Sequence, residues 1–195
     1  MIGNLYEIDD NGKLKLALHR GQTKAWDSDK RFVFILSGTQ GGKTSFGPFW
    51  LWREIQKEGA GDYLAVTSTF PLLRLKMLPE FLKVFHNTLH LGKWWAADRV
   101  YELANPKTGE MASRSTDPMW GRVIFGSAKN ADSLESATAK AAWIDECGQS
   151  QFRLDSWEAI LRRLSLNRGR VLGSSTLYNW GWMKQQIYDP WKRGE

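Results

Sequence analysis

The sequence predicts an α/β fold: a three-layer sandwich around a mainly parallel central sheet, with an antiparallel hairpin added to it. Three observations carry this expectation. Five short apolar runs are nearly continuous in hydrophobicity instead of alternating, as strands covered on both faces should be. Helix-like stretches separate them, and strands alternating with helices favour helical layers on both sides of a sheet. The chain has 195 residues, 42% of them hydrophobic, which suits one domain with a substantial core.

The strands read, in order, as "RFVFIL" (31–36), "DYLAVTS" (62–68), "GRVIFGS" (121–127), "KAAWID" (140–145) and "GRVLGSS" (169–175). Helices are expected over 43–57, 71–88, 132–139 and 151–166. In the second of these, Leu72, Leu75, Leu78, Leu82 and Phe85 recur at three- and four-residue steps, one apolar stripe of a helix. Between Trp94 and Trp120 the pattern changes. "RVYELANPKTGEMAS" reads as strand, polar turn, strand, with Asn105-Pro106 and Thr108-Gly109 in the turn, and this is the predicted hairpin.

The first strand runs into "SGTQGGKTS" and then into a helix. A glycine-bearing turn at a strand-to-helix junction is the context in which Gly-Lys-Thr becomes a phosphate site. Gly38, Gly41 and Gly42 let the backbone curl so that successive amides face phosphate oxygens. Lys43 is placed to bridge β- and γ-phosphates and Thr44 to offer its hydroxyl to Mg²⁺, with the helix N-terminus adding its positive dipole end. The predicted contacts are Gly38, Thr39, Gln40, Gly41, Gly42, Lys43, Thr44 and Ser45. Ser37 stands where the usual pattern has its first glycine, which is acceptable if that position keeps a negative φ.

About a hundred residues on, "AKAAWIDECGQ" ends an apolar strand in two carboxylates, at the end of the sheet where ligands of open α/β folds sit. Asp145 is expected to hold Mg²⁺, through water, and Glu146 to polarise an attacking water. A second polar strand end, Ser174-Ser175-Thr176, could sense the γ-phosphate, or be a plain turn. Upstream, "HRGQTKAW" supplies Gln22, whose amide both donates and accepts and so suits an adenine edge.

Composition bounds the rest. Lys and Arg number 27 against 21 Asp and Glu, a net charge of +6, with an isoelectric point near 9.5. That favours a polyanionic partner without requiring one. The one cysteine, Cys147, excludes an internal disulfide framework and is compatible with a reducing cytosol. The start, "MIGNLYEIDDNGK", lacks a signal-peptide pattern, and no apolar run is long enough to cross a bilayer, so the expectation is a soluble intracellular protein with no membrane role. Eleven tryptophans suit core packing, and Trp94-Trp95 could serve either packing or stacking on bases.

In this order the elements resemble the ATPase domain of large terminase subunits, the motors that package double-stranded DNA into tailed-phage capsids. "LHRGQTKAWDSDKRFVFILSGTQGGKTS" is similar to that family's glutamine motif, first strand and Walker A loop; "GRVIFGSAKNADSLESATAKAAWIDECGQ" resembles its approach to Walker B; "ILRRLSLNRGRVLGSSTLYNWGWMKQQIY" resembles its stretch from an arginine-bearing helix to the coupling motif. The resemblance covers nearly the whole chain and implies a single P-loop NTPase domain of the ASCE type over 1–195, binding ATP and Mg²⁺. By the same resemblance Gln22 meets adenine, Asp145 and Glu146 are Walker B aspartate and catalytic glutamate, and Ser174, Ser175 and Thr176 couple hydrolysis to movement. Ser37, "SLESATA" without the frequent arginine-glycine, and Leu177 in place of a frequent proline depart from the pattern. Arg162 is then the candidate arginine finger, with Arg163, Arg168 and Arg170 as alternatives.

The family implies double-stranded DNA bound without sequence preference, a portal protein and a small terminase subunit as partners, and action at the procapsid in the host cytoplasm. It also implies a homo-oligomeric ring when assembled, although an isolated domain could remain monomeric. Members usually continue into an RNase H-like nuclease domain; the sequence stops at "DPWKRGE", so either this is an excised domain or the nuclease lies on another chain, and an excised ATPase domain without nuclease activity is the preferred expectation. Two other readings compete. A helicase-like translocase shares the glutamine, the Asp-Glu box and the Ser/Thr triplet but needs a second motor lobe. A non-catalytic scaffold that binds nucleotide would have no need for Lys43, Thr44, Asp145 and Glu146 together.

Overall fold

The apolar runs form one sheet, and its two faces are sorted residue by residue. The computed structural model describes residues 5–38, 41–112, 116–129, 138–176 and 181–194. A short antiparallel hairpin of β1 (Tyr6–Ile8) and β2 (Leu14–Leu16) leads into α1 (Arg20–Asp27) and then β3 (Phe32–Leu36). Next come α2 (Lys43–Glu58), β4 (Gly61–Thr67) and the helical run α3 over 70–88, in which α-helical turns alternate with π-helical turns at Leu73–Met77 and Lys83–Thr88. After β5 (Gly92–Trp95), β6 (Val100–Leu103), β7 (Gly121–Ser127) and β8 (Ala139–Asp145) come α4 (Leu154–Leu164), β9 (Arg170–Ser175) and a last helical run, α5, over 181–193.

Seven of these strands lie in the order β3-β9-β8-β4-β7-β6-β5, parallel from β3 through β7 and antiparallel at β6 and β5. Alternate residues of the central strands enter different cores. Tyr63 and Ala65 of β4, Ala141 and Trp143 of β8 and Leu172 of β9 pack with Phe46, Trp50, Phe81 and Phe85 of α2 and α3. Leu64, Val66, Ala142, Ile144 and Val171 pack on the other side with Trp157, Ile160 and Leu164 of α4 and with Trp182 and Met183. That division is why these strands read as continuous apolar runs.

The expected hairpin needs correcting. The antiparallel arm Val100–Leu103 exists, but its hairpin partner is the upstream segment Gly92–Trp95, with the bend at 96–99. The turn over 105–109 does form: Gly109 N donates to Asn105 O at 2.7 Å, and Gly109 takes φ +72. The described residues just beyond it, 110–112, are not a strand. Their one large apolar side chain is Met111, which stays 43% exposed, so a further strand there would bury little. Trp94 instead packs edge-on against Phe125 of β7, with centroids 5.2 Å apart, and Trp95 Nε1 donates to Glu102 at 3.0 Å. Both therefore serve the sheet. The expected helix over 132–139 falls mostly outside the described residues, and its last position, Ala139, already belongs to β8. The helix expected over 151–166 begins only at Leu154.

Candidate functional site

Register brings three strand ends level. Leu36 of β3 is opposite Ser175 of β9, and Ser174 is opposite Asp145 of β8. Backbone bonds continue the alignment past the sheet: Ser37 N donates to Ser175 O at 3.3 Å and Cys147 N to Ser174 O at 3.2 Å. The glycine-bearing turn, the acid pair and the hydroxyl triplet thus share one rim.

On β3's side, the turn enters α2 through Gly42, which takes φ +65 and caps the helix without a side chain. The first amides of α2 receive no side-chain acceptor at the cap, which is the arrangement that suits an anion. A Cβ on Gly41 would meet Ser37 Oγ at 2.4 Å, so a side chain there would displace the serine. Ser37 does not take a positive φ, which meets the condition set for a serine at this position. Lys43 is 6% exposed; its Nζ donates to Gly38 O (2.7 Å), Ser37 O (3.0 Å), Ser37 Oγ (3.2 Å) and Thr176 Oγ1 (3.4 Å). Thr39 and Gln40 lie outside the described residues.

Asp145 is 1% exposed, and both its carboxylate oxygens are engaged: Thr44 Oγ1 donates to Oδ2 at 2.8 Å and Ser174 Oγ to Oδ1 at 2.6 Å. Burial pushes its carboxyl above the usual carboxylate range, against the opposing pull of the Ser174 and Thr44 bonds and the Lys43 charge. Glu146 sits in the left-handed region at φ +53, a costly conformation for a residue with a Cβ. Its Oε2 is buried and has no hydrogen-bond partner among the described residues, an unmet acceptor at the rim.

The three hydroxyls reach three different parts of this rim. Ser174 holds Asp145, Ser175 Oγ accepts from Gly148 N at 2.8 Å, and Thr176 faces Lys43. Gly148 has no room for a Cβ, which would lie 2.7 Å from Ser175 Oγ.

Gln22, in α1, is 2% exposed, and its Nε2 donates to Gly42 O at 3.2 Å while its Oε1 accepts from His19 N at 3.2 Å. Beside it a cavity of about 840 Å³ opens, lined by Tyr6 and Glu7 of β1, His19, Gln22, Gly41, Gly42, Ser45 and Phe49 of α2, and Glu80 and Lys83 of α3. Gln22 and Ser45 are therefore brought to the turn. Residues that motif and periodicity passed over also gather here: β1, α1 as a helix, and His19 as its N-cap. The His-x-x-Gln spacing before a short helix is the one available signal, and histidine is not among the usual capping residues.

Arg162 is not brought to this rim. It is exposed in the last turn of α4, close to the opposite end of the sheet, where Asn167 Nδ2 donates to Ala139 O at the start of β8. The length of β8 separates the two ends, about 20 Å. Of the alternatives, Arg170 is tied to buried Glu54 and to the carbonyls of Ser28 and Lys30.

No protein-family model matches the chain, and no curated protein does. Solved structures do. The Thermus phage P74-26 large terminase ATPase domain is similar at TM-score 0.69 and 17% identity, over 87% of this chain and 69% of that one. The large terminase from a second, thermophilic bacteriophage is similar at TM-score 0.70 and 14% identity, over 89% of this chain and 43% of that one. The same thermophilic phage protein in complex with ATP-gamma-S aligns at TM-score 0.62 and 15% identity over 89% of this chain. This chain spans less than half of that second protein. The likeness establishes the fold, a three-layer α/β sandwich around a mainly parallel sheet that this chain shares with those large terminase structures.

Proposed function

We propose that this chain is an ATP-hydrolysing motor domain that drives double-stranded DNA into a viral procapsid. The observation that carries the reading is the convergence of Lys43, Thr44, Asp145, Glu146 and Ser174–Thr176 on one rim, from strands far apart in sequence. The shared fold with terminase ATPase domains, some of them solved with ATP-gamma-S or ADP, agrees with it.

ATP enters with its phosphates against the turn. Lys43 exchanges the carbonyls of Ser37 and Gly38 for β- and γ-phosphate oxygens, and the amides of the turn and of the first turn of α2 donate to the same groups. Thr44 and Asp145 would hold Mg²⁺: they present a hydroxyl and a carboxylate 2.8 Å apart, the hard oxygen donors that this ion takes. When bound, the ion would supply neutralisation of phosphate charge. Glu146 orients the attacking water with the carboxylate oxygen that has no partner among the described residues. Loss of the γ-phosphate releases Lys43 and Thr176, and through Ser175 and Gly148 moves the segment after the acid pair. Gln22 lines the nucleoside end of the cavity.

DNA contact in such a motor is directed at phosphates and blind to sequence, so affinity for duplex DNA falls steeply as salt rises. A portal protein, a small terminase subunit and a ring of copies of this chain are the partners that this reading implies. ATP turnover decides the central point. Glu146→Gln should keep nucleotide binding and lose about 10²–10⁴-fold in turnover, whereas Lys43→Ala should lose binding. Equal turnover in the wild type and Glu146→Gln would leave only a nucleotide-binding scaffold.

A further inference from the structure

His19 joins the phosphate turn to the helix behind it. Its Nδ1 accepts from Gly21 N at 3.1 Å and from Gln22 N at 3.4 Å, capping α1, while Gln22 Oε1 accepts from His19 N, closing a reciprocal capping box. Because Nδ1 accepts twice, the ring's proton is on Nε2, and Nε2 lies 3.3 Å from the carbonyl oxygen of Gly41. Gln22 Nε2 grips the next carbonyl, that of Gly42. Two neighbouring carbonyls of the turn are thus held from behind by one cap. A peptide whose carbonyl is held on one side presents the following N–H to the other, and in this turn that other side is where phosphate binds.

We infer that His19, donating from Nε2 to Gly41, is a positioning residue that sets the amides of the turn for nucleotide phosphate. This inference rests on the reading of the turn as a nucleotide site. The titratable and charged side chains that share its cavity are Tyr6 and Glu7 from β1 and Glu80 and Lys83 from α3, with Arg20 next to it on α1.

Two substitutions separate capping from grip. Asparagine is a good N-cap but is too short to reach Gly41 as well; alanine does neither. Affinity for ADP, measured by calorimetry at pH 8, should weaken about three- to tenfold in both His19→Asn and His19→Ala, the range for one lost hydrogen bond. The melting temperature should fall in His19→Ala and hold in His19→Asn. Wild-type affinity in His19→Asn at pH 8 would overturn the assignment. If the wild type itself binds no ADP and Lys43→Ala changes nothing, the nucleotide reading has failed instead, and the two failures are told apart by that control.

Discussion

At the level of single residues, the site costs stability in order to be ready. Asp145 is the clearest case, a carboxylate at 1% exposure whose folded-state pKa is raised, chiefly by burial. For an acid raised in this way, the folded state holds the proton more tightly than the unfolded chain does. Its favourable contribution is complete below the unfolded value and disappears as pH rises through the folded value, so above the folded value the ionised side chain opposes folding. Asp145→Asn keeps the shape and the two hydroxyl neighbours without the charge. In metal-free buffer above the folded value it should melt a few degrees above the wild type, since 1 kcal/mol is worth about 2–4 °C at this size. The difference should shrink as pH falls through the folded value, where the wild-type carboxyl takes up its proton. A variant that melts lower than the wild type across the whole range would show that the Thr44 and Ser174 bonds outweigh burial. Ser37 illustrates the opposite case. Its hydroxyl accepts from Lys43 and its backbone avoids positive φ, so replacing the customary glycine gives the lysine one more oxygen without straining the turn.

Elements transmit these local arrangements through tight contacts. The helix α2, which begins at Lys43, lies on β8 at Gly47, where a Cβ would meet the Trp143 ring at 2.0 Å. Both partners are buried and neither has a free direction of retreat, so Gly47→Ala must push α2 off the sheet. Overpacking of this kind costs about 1–3 kcal/mol, a fall of roughly 3–10 °C in melting temperature. The same displacement moves Lys43 and Thr44, so ADP affinity should drop with it; an unchanged melting curve would mean that the contact is looser than the geometry states. Elements also mark what could be read in advance. The central strands were legible because burial on both faces leaves a continuous apolar signature, and the turn because its glycines sit between a strand and a helix. The partner of β6 was not, since local sequence says that a strand exists and not which neighbour it takes; Trp94 on Phe125 decides that from across the sheet. The helix α1 escaped notice because it is only eight residues long and carries Gly21, leaving its cap, His19, invisible to apolar periodicity.

For the whole molecule, the placement of Arg162 is the informative fact. The resemblance read from the sequence made it the candidate finger, yet it lies about a strand's length from the turn of its own chain, at the end of the sheet marked by Ala139 and Asn167. No side chain spans that gap. If Arg162 contributes to hydrolysis, it does so at the site of a neighbouring copy, and an isolated domain should turn over ATP slowly, because an arginine finger is typically worth about 10³–10⁵ in rate. Complementation tests this directly. Arg162→Ala and Glu146→Gln should each be nearly inactive alone at concentrations where the wild type assembles. Mixed, a subunit with an intact Glu146 can receive Arg162 from the other variant, so activity should reappear and rise with total protein. Turnover that stays at the sum of the two separate variants, while Arg162→Ala alone remains inactive, would exclude action between subunits. If Arg162→Ala instead keeps wild-type turnover, the finger is another cation, and exposed Arg168, at φ +48 in the turn after α4, is the next to substitute.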